Sequence, residues 1–170
     1  MIQDYSSHGI IFSKNYMNIA IVDDPGHAGK KPGLTLPGGR PKPKDKHDPL
    51  ETFYREARVE IGVSRSQMEL LGVIRDGSTV IIPGNPPKEV LQYVYLAHAL
   101  SPGNPNLVIE GETDGWFWAP FEPKGPPEAR GKKLYATYRS LWRDEKFLEM
   151  TAPLYEKSWE VWAMSRKAAR

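Results

Sequence analysis

Leu36-Pro37-Gly38-Gly39 is a glycine-rich stretch that is followed, after fifteen intervening residues, by Arg55-Glu56-Ala57-Arg58-Val59-Glu60-Ile61-Gly62-Val63, a run that carries two glutamates. Glu56 and Glu60 stand four positions apart. In an α-helix such side chains lie on one face, with Cβ atoms about 5–6 Å apart. Mg²⁺ prefers oxygen ligands and is bound through one or two carboxylates plus substrate phosphates. The spacing therefore predicts that the two glutamates share one hard cation, with the substrate completing the site.

The residues around the glutamates are typical of a helix with defined ends. Asp48 is a good N-cap, Pro49 suits the first helical position, and Glu51 stands three residues after the cap as in a capping box. Gly62 suits the end of the helix. Apolar residues recur at helical spacing, so one face is expected to pack on a core and leave the glutamates elsewhere: Leu50, Phe53 or Tyr54, Ala57 and Ile61.

The segment as a whole resembles the Nudix box. That motif is a loop–helix–loop with the pattern G-x5-E-x7-R-E-U-x-E-E-x-G-U, where U is aliphatic, and L-P-G usually precedes it. The resemblance implies an α/β/α sandwich with a mixed β-sheet from about residue 5 to residue 122, to which this chain adds C-terminal helices. Five parts of the sequence match the pattern: Gly39, Arg55-Glu56, Ala57, Glu60 and Gly62-Val63.

Two features depart from the Nudix pattern. Val59 stands where the first of the paired glutamates is expected, so the resemblance predicts one or two metal ions rather than three. The segment before the R-E pair is two residues longer than the pattern, which leaves three candidates for the early glutamate that supports the loop and helix. Counting forward from the opening glycine gives Asp45, counting back from the R-E pair gives His47, and Asp48 is the third.

The resemblance implies hydrolysis of a diphosphate linkage in a nucleoside diphosphate joined to another group, with Mg²⁺ or Mn²⁺ as cofactor. A divalent ion is needed because the diphosphate repels hydroxide and its leaving phosphate gains negative charge. Glu56 and Glu60 are expected to hold the metal, and the backbone carbonyl of Gly39 to complete its coordination. Arg55 is expected to support the carboxylates by ion pairing, and Glu56 is the favoured acceptor of the proton of water.

The remaining site residues are less defined. Family members often carry an extra acidic residue in a later loop, and Glu112 is preferred here as a further catalytic carboxylate over Glu110 and Asp114; the alternative is a solvated loop. The predicted substrate-binding residues lie in the loop and on a later strand: Gly38, Gly39, Arg40 and Trp116. For Trp116 the alternative is a place in the core, and for the basic loop that begins at Arg40 it is a solvated turn.

The composition is that of a globular chain with one core. The 170 residues are 39% hydrophobic and 26% charged, which predicts a single domain over 1–170 with 130–170 as a C-terminal helical extension. No run approaches the roughly 18 apolar residues of a membrane span, and the first residues lack the pattern of a signal peptide. We therefore expect no membrane association and a cytoplasmic location. The absence of cysteine excludes disulfides, thiolate catalysis and cysteine-ligated zinc.

Runs of branched residues predict strands on both sides of the helix. They cover 9–12, 18–22, 68–74, 79–82 and 90–100. Two C-terminal helices are predicted, one over Leu134 to Trp142 and one after Pro153. Residues 130–170 carry ten lysines and arginines against five acids, a net charge of +5, whereas the rest of the chain is at −3.

Three functions are compatible with these features. The favoured one is a metal-dependent hydrolase acting on a nucleotide-type small molecule. The second is a nucleotide-binding or regulatory module that keeps the fold without turnover, which the substitution at Val59 would favour. The third is a nucleic-acid-binding protein that uses its basic tail. The alternative for the tail is that its aromatic residues pack on the sheet or on a second subunit in a homodimer, and that its basic residues are solvated.

Overall fold

In the computed structural model, residues 4–27, 29–82 and 85–169 are described. Within these ranges the chain forms a seven-stranded sheet in the order β3-β2-β1-β6-β5, with β4 paired to β1 and β7 paired to β2. β1 and β6 run parallel and the other pairs are antiparallel, so the predicted mixed sheet is confirmed. The strands are β1 Tyr5–Phe12, β2 Asn18–Asp24, β3 Gly33–Thr35, β4 Gly38–Gly39, β5 Met68–Ile82, β6 Lys88–Ala99, β7 Trp116–Pro120 and, in a separate hairpin, β8 Glu128–Ala129 and β9 Lys132–Lys133.

Helices cover both faces of the sheet, as the predicted α/β/α sandwich requires. The α-helices are α1 Pro49–Ile61, α2 Ala136–Arg139 and α3 Glu145–Ala168, and 3₁₀ turns cover Pro43–Asp45, Arg65–Gln67 and Ser140–Arg143. α1 buries Phe53, Ala57 and Ile61 in the core on one face. Leu141 and Phe147, from the C-terminal region, are buried in the core on the opposite face. Each of the larger of these side chains, such as Phe53 or Leu141, stabilises the fold by about 1.5–3 kcal/mol when fully buried.

β1 begins four residues earlier than the sequence predicts, because its polar residues find partners in the interior. The Tyr5 hydroxyl lies 2.9 Å from the Thr52 hydroxyl, and Ser7 donates to the carbonyl of Pro49 at 2.6 Å. Burying such groups without a partner would be costly. Here they tie the strand to the first turn of α1.

The prediction of two separate strands over 68–74 and 79–82 is wrong, because β5 runs unbroken along β6. The residues between them resemble a turn, but the strand absorbs them through register shifts at Leu70/Gly72, Val73/Arg75 and Asp76/Ser78. Gly77 has φ +75° beside the last of these, a conformation that suits glycine. These irregularities are β-bulges, which keep the ladder going while bending the strand.

The C-terminal helices differ from their predicted bounds. The first is shorter than predicted, a four-residue α2 followed by a 3₁₀ turn, and the second begins before Pro153 and runs through it. Phe147 is fully buried and anchors the first turn of α3, whose Asp144 N-cap accepts from the backbone N–H groups of Lys146 and Phe147. Packing and capping of the first turns thus outweigh the single hydrogen bond that proline removes.

Candidate active site

The helix that carries the glutamates has the predicted ends. The Asp48 carboxylate accepts from the backbone N–H of Leu50 at 2.8 Å, and Pro49 occupies the first turn. Gly62 ends the helix at φ 72°, with its N–H directed to the carbonyls of Ala57 and Arg58. The Glu51 carboxylate accepts from Arg65 at 2.6 Å. The bounds of α1 fix which side chains face the loop.

The glycine-rich loop lies between β1 and α1, and its backbone approaches both elements more closely than a residue with a Cβ atom could. A Cβ on Gly39 would lie 2.7 Å from Oε1 of Glu56, and one on Gly38 would lie 2.3 Å from the carbonyl oxygen of Ser7. Gly38 also has φ +153°, at the edge of the region that favours glycine. The two glycines therefore bring the backbone against the helix face that carries the carboxylates.

Glu60 meets the same loop one turn further along α1. Its Oε2 accepts from the backbone N–H of Gly38 at 2.8 Å. Burial raises the pKa of Glu60 well above its usual range, and the negative charges of Glu56, Glu112 and Asp24 raise it further, whereas the Gly38 hydrogen bond lowers it. These carboxylates thus form one region of negative potential that a cation would relieve.

Arg55 holds Glu56 in place through a buried ion-pair network. Its Nη1 donates to Glu56 Oε1 at 2.5 Å, its Nε to Asp45 Oδ1 at 2.8 Å, and its Nη2 to the carbonyl of Arg40 at 2.9 Å. The hydrogen bond from Arg55 lowers the pKa of Asp45 to about 2, despite the burial of that carboxyl. Thr52 also donates to Asp45 at 3.0 Å. Arg55 therefore has the geometry of the supporting residue that the sequence predicts.

The structure distinguishes the three candidates for the early acidic position. Asp45 is buried against Arg55, with its side chain 3% exposed. Asp48 is instead the N-cap of α1, and His47 is exposed with φ 60°. The two extra residues of the loop are thus accommodated before α1, and Asp45 takes the supporting role.

Glu112 lies in an exposed loop whose backbone is tied to the end of β2. The backbone N–H of Asp114 donates to the carbonyl of Asp23 at 2.8 Å, and the N–H of Glu112 donates to the carbonyl of Ile109 at 2.9 Å. The charge of Glu112 acts on Glu60, as its effect on the pKa shows. Its catalytic role stays a prediction. Among the described residues, no three acidic or histidine side chains come close enough to form a metal site.

Asp24 is a further carboxylate near the site, and the sequence reasoning missed it. It ends β2, its Oδ2 accepts from Lys30 at 2.6 Å, and its charge acts on Glu60. The pattern that points to it is an acidic pair, Asp23-Asp24, at the end of an apolar strand. β2 pairs with β1, and β1 in turn pairs with β4 and contacts α1, so the sheet brings this strand end towards the loop and the helix.

Two of the predicted substrate-binding residues, Trp116 and Arg40, differ in burial. Trp116 is 5% exposed in the core beneath α1, and its Nε1–H donates to the carbonyl of Asn104 at 2.7 Å. This burial argues against base stacking and favours the alternative of a core residue. The Arg40 side chain is exposed and lies 3.7 Å from the Asp4 carboxylate. Contact of Arg40 with phosphate stays a prediction.

The sequence also agrees with a known domain family over most of its length. A model of the NUDIX domain matches residues 10–138, more than half of the chain. The chain belongs to the Nudix family. The predicted resemblance is thereby confirmed, and the match includes both the Nudix box and the strands around it. No curated protein sequence matches the chain.

Solved structures with the Nudix fold share this architecture at low sequence identity. An Ap4A hydrolase of C. elegans is 18% identical with a TM-score of 0.62, over 88% of this chain and 98% of that one. The Nudix hydrolase RenU of M. smegmatis is 15% identical with a TM-score of 0.62, over 89% and 88%. A MutT Nudix hydrolase of Burkholderia pseudomallei is 22% identical with a TM-score of 0.56, over 84% and 97%. At such identities these likenesses establish the fold alone.

In the part of the chain that the structure describes, no helix is both long and apolar enough to cross a membrane.

Proposed function

We propose that this Nudix protein hydrolyses a diphosphate linkage in a nucleoside diphosphate derivative and requires Mg²⁺ or Mn²⁺ for the reaction. The observation that carries the proposal is the contact between the glycine-rich loop and two glutamates of α1. Glu56 lies against Gly39 and is held by Arg55, whereas Glu60 binds the N–H of Gly38. Both carboxylates therefore face the loop at which a diphosphate would bind.

The donor set fits a hard cation, because it consists of oxygens and its carboxylates repel one another. Glu56, Glu60 and the carbonyl of Gly39 would hold the ion, and substrate phosphates and water would complete its coordination. When bound, the ion supplies charge neutralisation at the diphosphate and lowers the pKa of the attacking water. The raised pKa of Glu60 supports this assignment, because a positive charge there would restore the ionised carboxylate.

The chain's own residues position the reaction. Arg55 occupies one oxygen of Glu56 and so restricts the direction in which the other can accept a proton from water. Asp45 in turn fixes Arg55, and Thr52 fixes Asp45. Proton acceptance by a positioned side chain contributes about 10²–10⁴-fold to a rate. We assign that step to Glu56.

A screen of nucleoside diphosphate compounds with Mg²⁺ and Mn²⁺ tests the proposal. The wild-type protein should release a nucleoside monophosphate from at least one compound, and Glu56→Gln and Glu60→Gln should each lower kcat by about 10²-fold or more. Glu160→Gln is the matched control, because Glu160 is an exposed glutamate of α3 outside the candidate site, and it should retain activity. Hydrolysis that survives both α1 substitutions would overturn the assignment.

Val59 supports a second candidate, a nucleotide-binding or regulatory module without turnover. A valine in place of a carboxylate lowers the charge available to a cation, and the described residues form no cluster of three potential ligands. Val59→Glu should then raise the affinity for Mn²⁺, measured by calorimetry, by about tenfold or more. Thermal stabilisation by nucleotides without hydrolysis of any compound in the screen would favour the module.

The basic tail gives less support to nucleic-acid binding than its net charge suggests. Arg130 and Lys132 both pair with the buried carboxylate of Asp23, at 3.0 and 2.5 Å, and Lys133 lies 3.7 Å from Glu128. Their charges are therefore partly neutralised within the fold. A cytoplasmic location, a homodimer and the single-domain organisation with its extension over 130–170 stay predictions.

A further inference from the structure

The face of α1 opposite the glutamates carries a concavity of about 320 Å³. Consecutive residues of an α-helix are rotated by about 100°, so Arg58 lies roughly 180° around the helix from the mean direction of Glu56 and Glu60. Tyr54 and Glu51 share the face of Arg58, because they are four and seven residues before it. The candidate active site and this concavity therefore lie on different sides of the same helix.

The charges that line the concavity are predominantly positive. Four cationic side chains and two carboxylates line it, a net charge of +2: Lys44, Arg55, Arg58, Arg65, Asp45 and Glu51. Two of the cations are neutralised locally, because Arg55 pairs with Asp45 and Arg65 pairs with Glu51. The surplus positive charge thus resides on the other two, Lys44 and Arg58.

Neither Lys44 nor Arg58 has a salt bridge or a side-chain hydrogen bond to any residue that the structure describes. Both are exposed at the rim, one from the 3₁₀ turn at Pro43–Asp45 and one from α1. A third donor is already oriented, because the Arg65 guanidinium stacks on Tyr54 at 4.7 Å and is held by Glu51. Guanidinium groups offer paired N–H donors that match the oxygens of phosphate.

We propose that this concavity is an anion-binding site for phosphate groups, separate from the hydrolytic site. Lys44 and Arg58 supply the uncompensated charge, and Arg65 supplies oriented N–H donors. Arg55 also lines the concavity, and it donates to Glu56 and to the backbone carbonyl of Arg40. An anion bound here therefore contacts a residue that holds Glu56 in place. The ligand class is a compact anion with one or two phosphates, because the surplus positive charge is concentrated on two side chains of one small concavity.

Binding of inorganic pyrophosphate in the presence of a chelator tests this site without any contribution from hydrolysis. Without divalent ions the carboxylates of the other face repel anions, so calorimetry should report one pyrophosphate per chain. Arg58→Ala should weaken binding by about tenfold or more, because it removes a charge-assisted hydrogen bond. Arg143→Ala is the matched control, since Arg143 is an exposed arginine outside the concavity, and it should bind as the wild type does.

Glu51→Gln should change the affinity for pyrophosphate in the opposite direction. It removes the carboxylate that competes for Arg65, so it should tighten pyrophosphate binding by several-fold. Adenosine diphosphate, used as a second probe, distinguishes nucleotides from inorganic anions as ligands. If adenosine diphosphate binds and its binding depends on Arg58, the site accepts nucleotides as well. If it does not bind, the site accepts inorganic anions alone. No pyrophosphate binding by the wild type, or equal weakening by Arg58→Ala and Arg143→Ala, would overturn the proposal. Because chelator is present, these outcomes are independent of whether the protein is a hydrolase.

Discussion

Replacing Asp45 with asparagine removes the charge that holds Arg55 in place while keeping the shape of the side chain. The Asp45 carboxylate accepts from Arg55 Nε at 2.8 Å and from Arg55 Nη2 at 2.9 Å. It also accepts from the Thr52 hydroxyl at 3.0 Å and from the backbone N–H of Lys42 at 2.8 Å. An asparagine has one acceptor oxygen, so its amide group would face at least one of these donors with a donor of its own.

The expected loss of stability follows from this geometry. Breaking a buried ion pair by removing one partner costs about 3–5 kcal/mol. Arg55 keeps Glu56 as a partner, which places the cost at the lower end, about 3 kcal/mol. For a chain of this size each kcal/mol lowers the midpoint of thermal unfolding by about 2–4 °C, so Asp45→Asn should melt about 6–12 °C below the wild type.

Thermal and urea unfolding, followed by circular dichroism at pH 7, measure this difference. Asp48→Asn is the matched control, because asparagine and aspartate are equally good N-caps, and it should change the free energy of unfolding by less than about 0.5 kcal/mol. If the free energy of unfolding of Asp45→Asn lies within about 1 kcal/mol of that of this control, the supporting role of Asp45 is refuted.

The pH dependence provides a second check on the same residue. The pKa of Asp45 is lowered from 3.8 to about 2 in the folded protein, so its ionised form stabilises the fold fully above about pH 4. That contribution is lost as the pH falls through 2. The difference between wild type and Asp45→Asn should therefore shrink at acid pH, and a constant difference would contradict the ion-pair explanation.

Three other perturbations test the contacts around the site. Gly39→Ala places a Cβ 2.7 Å from Glu56 Oε1, so kcat/KM should fall by about 10²-fold while the fold is retained, and an unchanged value would show that this close approach is dispensable. Glu60→Gln should raise the thermal stability of the metal-free protein at pH 7, because the raised pKa means that the contribution of Glu60 to stability falls as the pH rises above the usual carboxyl range. The variant has no charge to bury at this position, so its advantage in melting temperature over the wild type should be larger at pH 7 than at pH 4, and an equal advantage at both pH values would contradict this reasoning. Gly9→Ala places a Cβ 2.1 Å from the buried ring of Phe53 and should cost about 1–3 kcal/mol in urea unfolding, whereas Gly125→Ala, which meets no atom within 4 Å, should not.

The parts of the site that sequence predicts well are those determined by local chemistry. Asp48, Pro49 and Gly62 set the ends of α1 because each acts on the backbone beside it. Those ends then place Glu56 and Glu60 on one face. A cap or a helix stop needs no information from distant residues, so these features can be read from a short window.

The parts that sequence misses depend on contacts between distant residues. Asp24 comes near the site because β2 pairs with β1, which carries β4 beside it, and Trp116 is buried because it packs in the core with α1. The passage of α3 through Pro153 depends on the burial of Phe147 against the sheet. Tertiary packing of this kind overrides local propensity and has no marker in the nearby sequence.

The parallel pairing of β1 with β6 has a consequence for how the chain acquires its fold. Tyr5 pairs with Leu91 and Phe12 with His98, so the central strand must wait for a partner that is 86 residues away in the sequence. At synthesis rates of about 5–20 residues per second, that partner leaves the ribosome about 4–17 s after β1. Until then the apolar run Ile10-Ile11-Phe12 has an unpaired edge, which makes the nascent chain prone to aggregation.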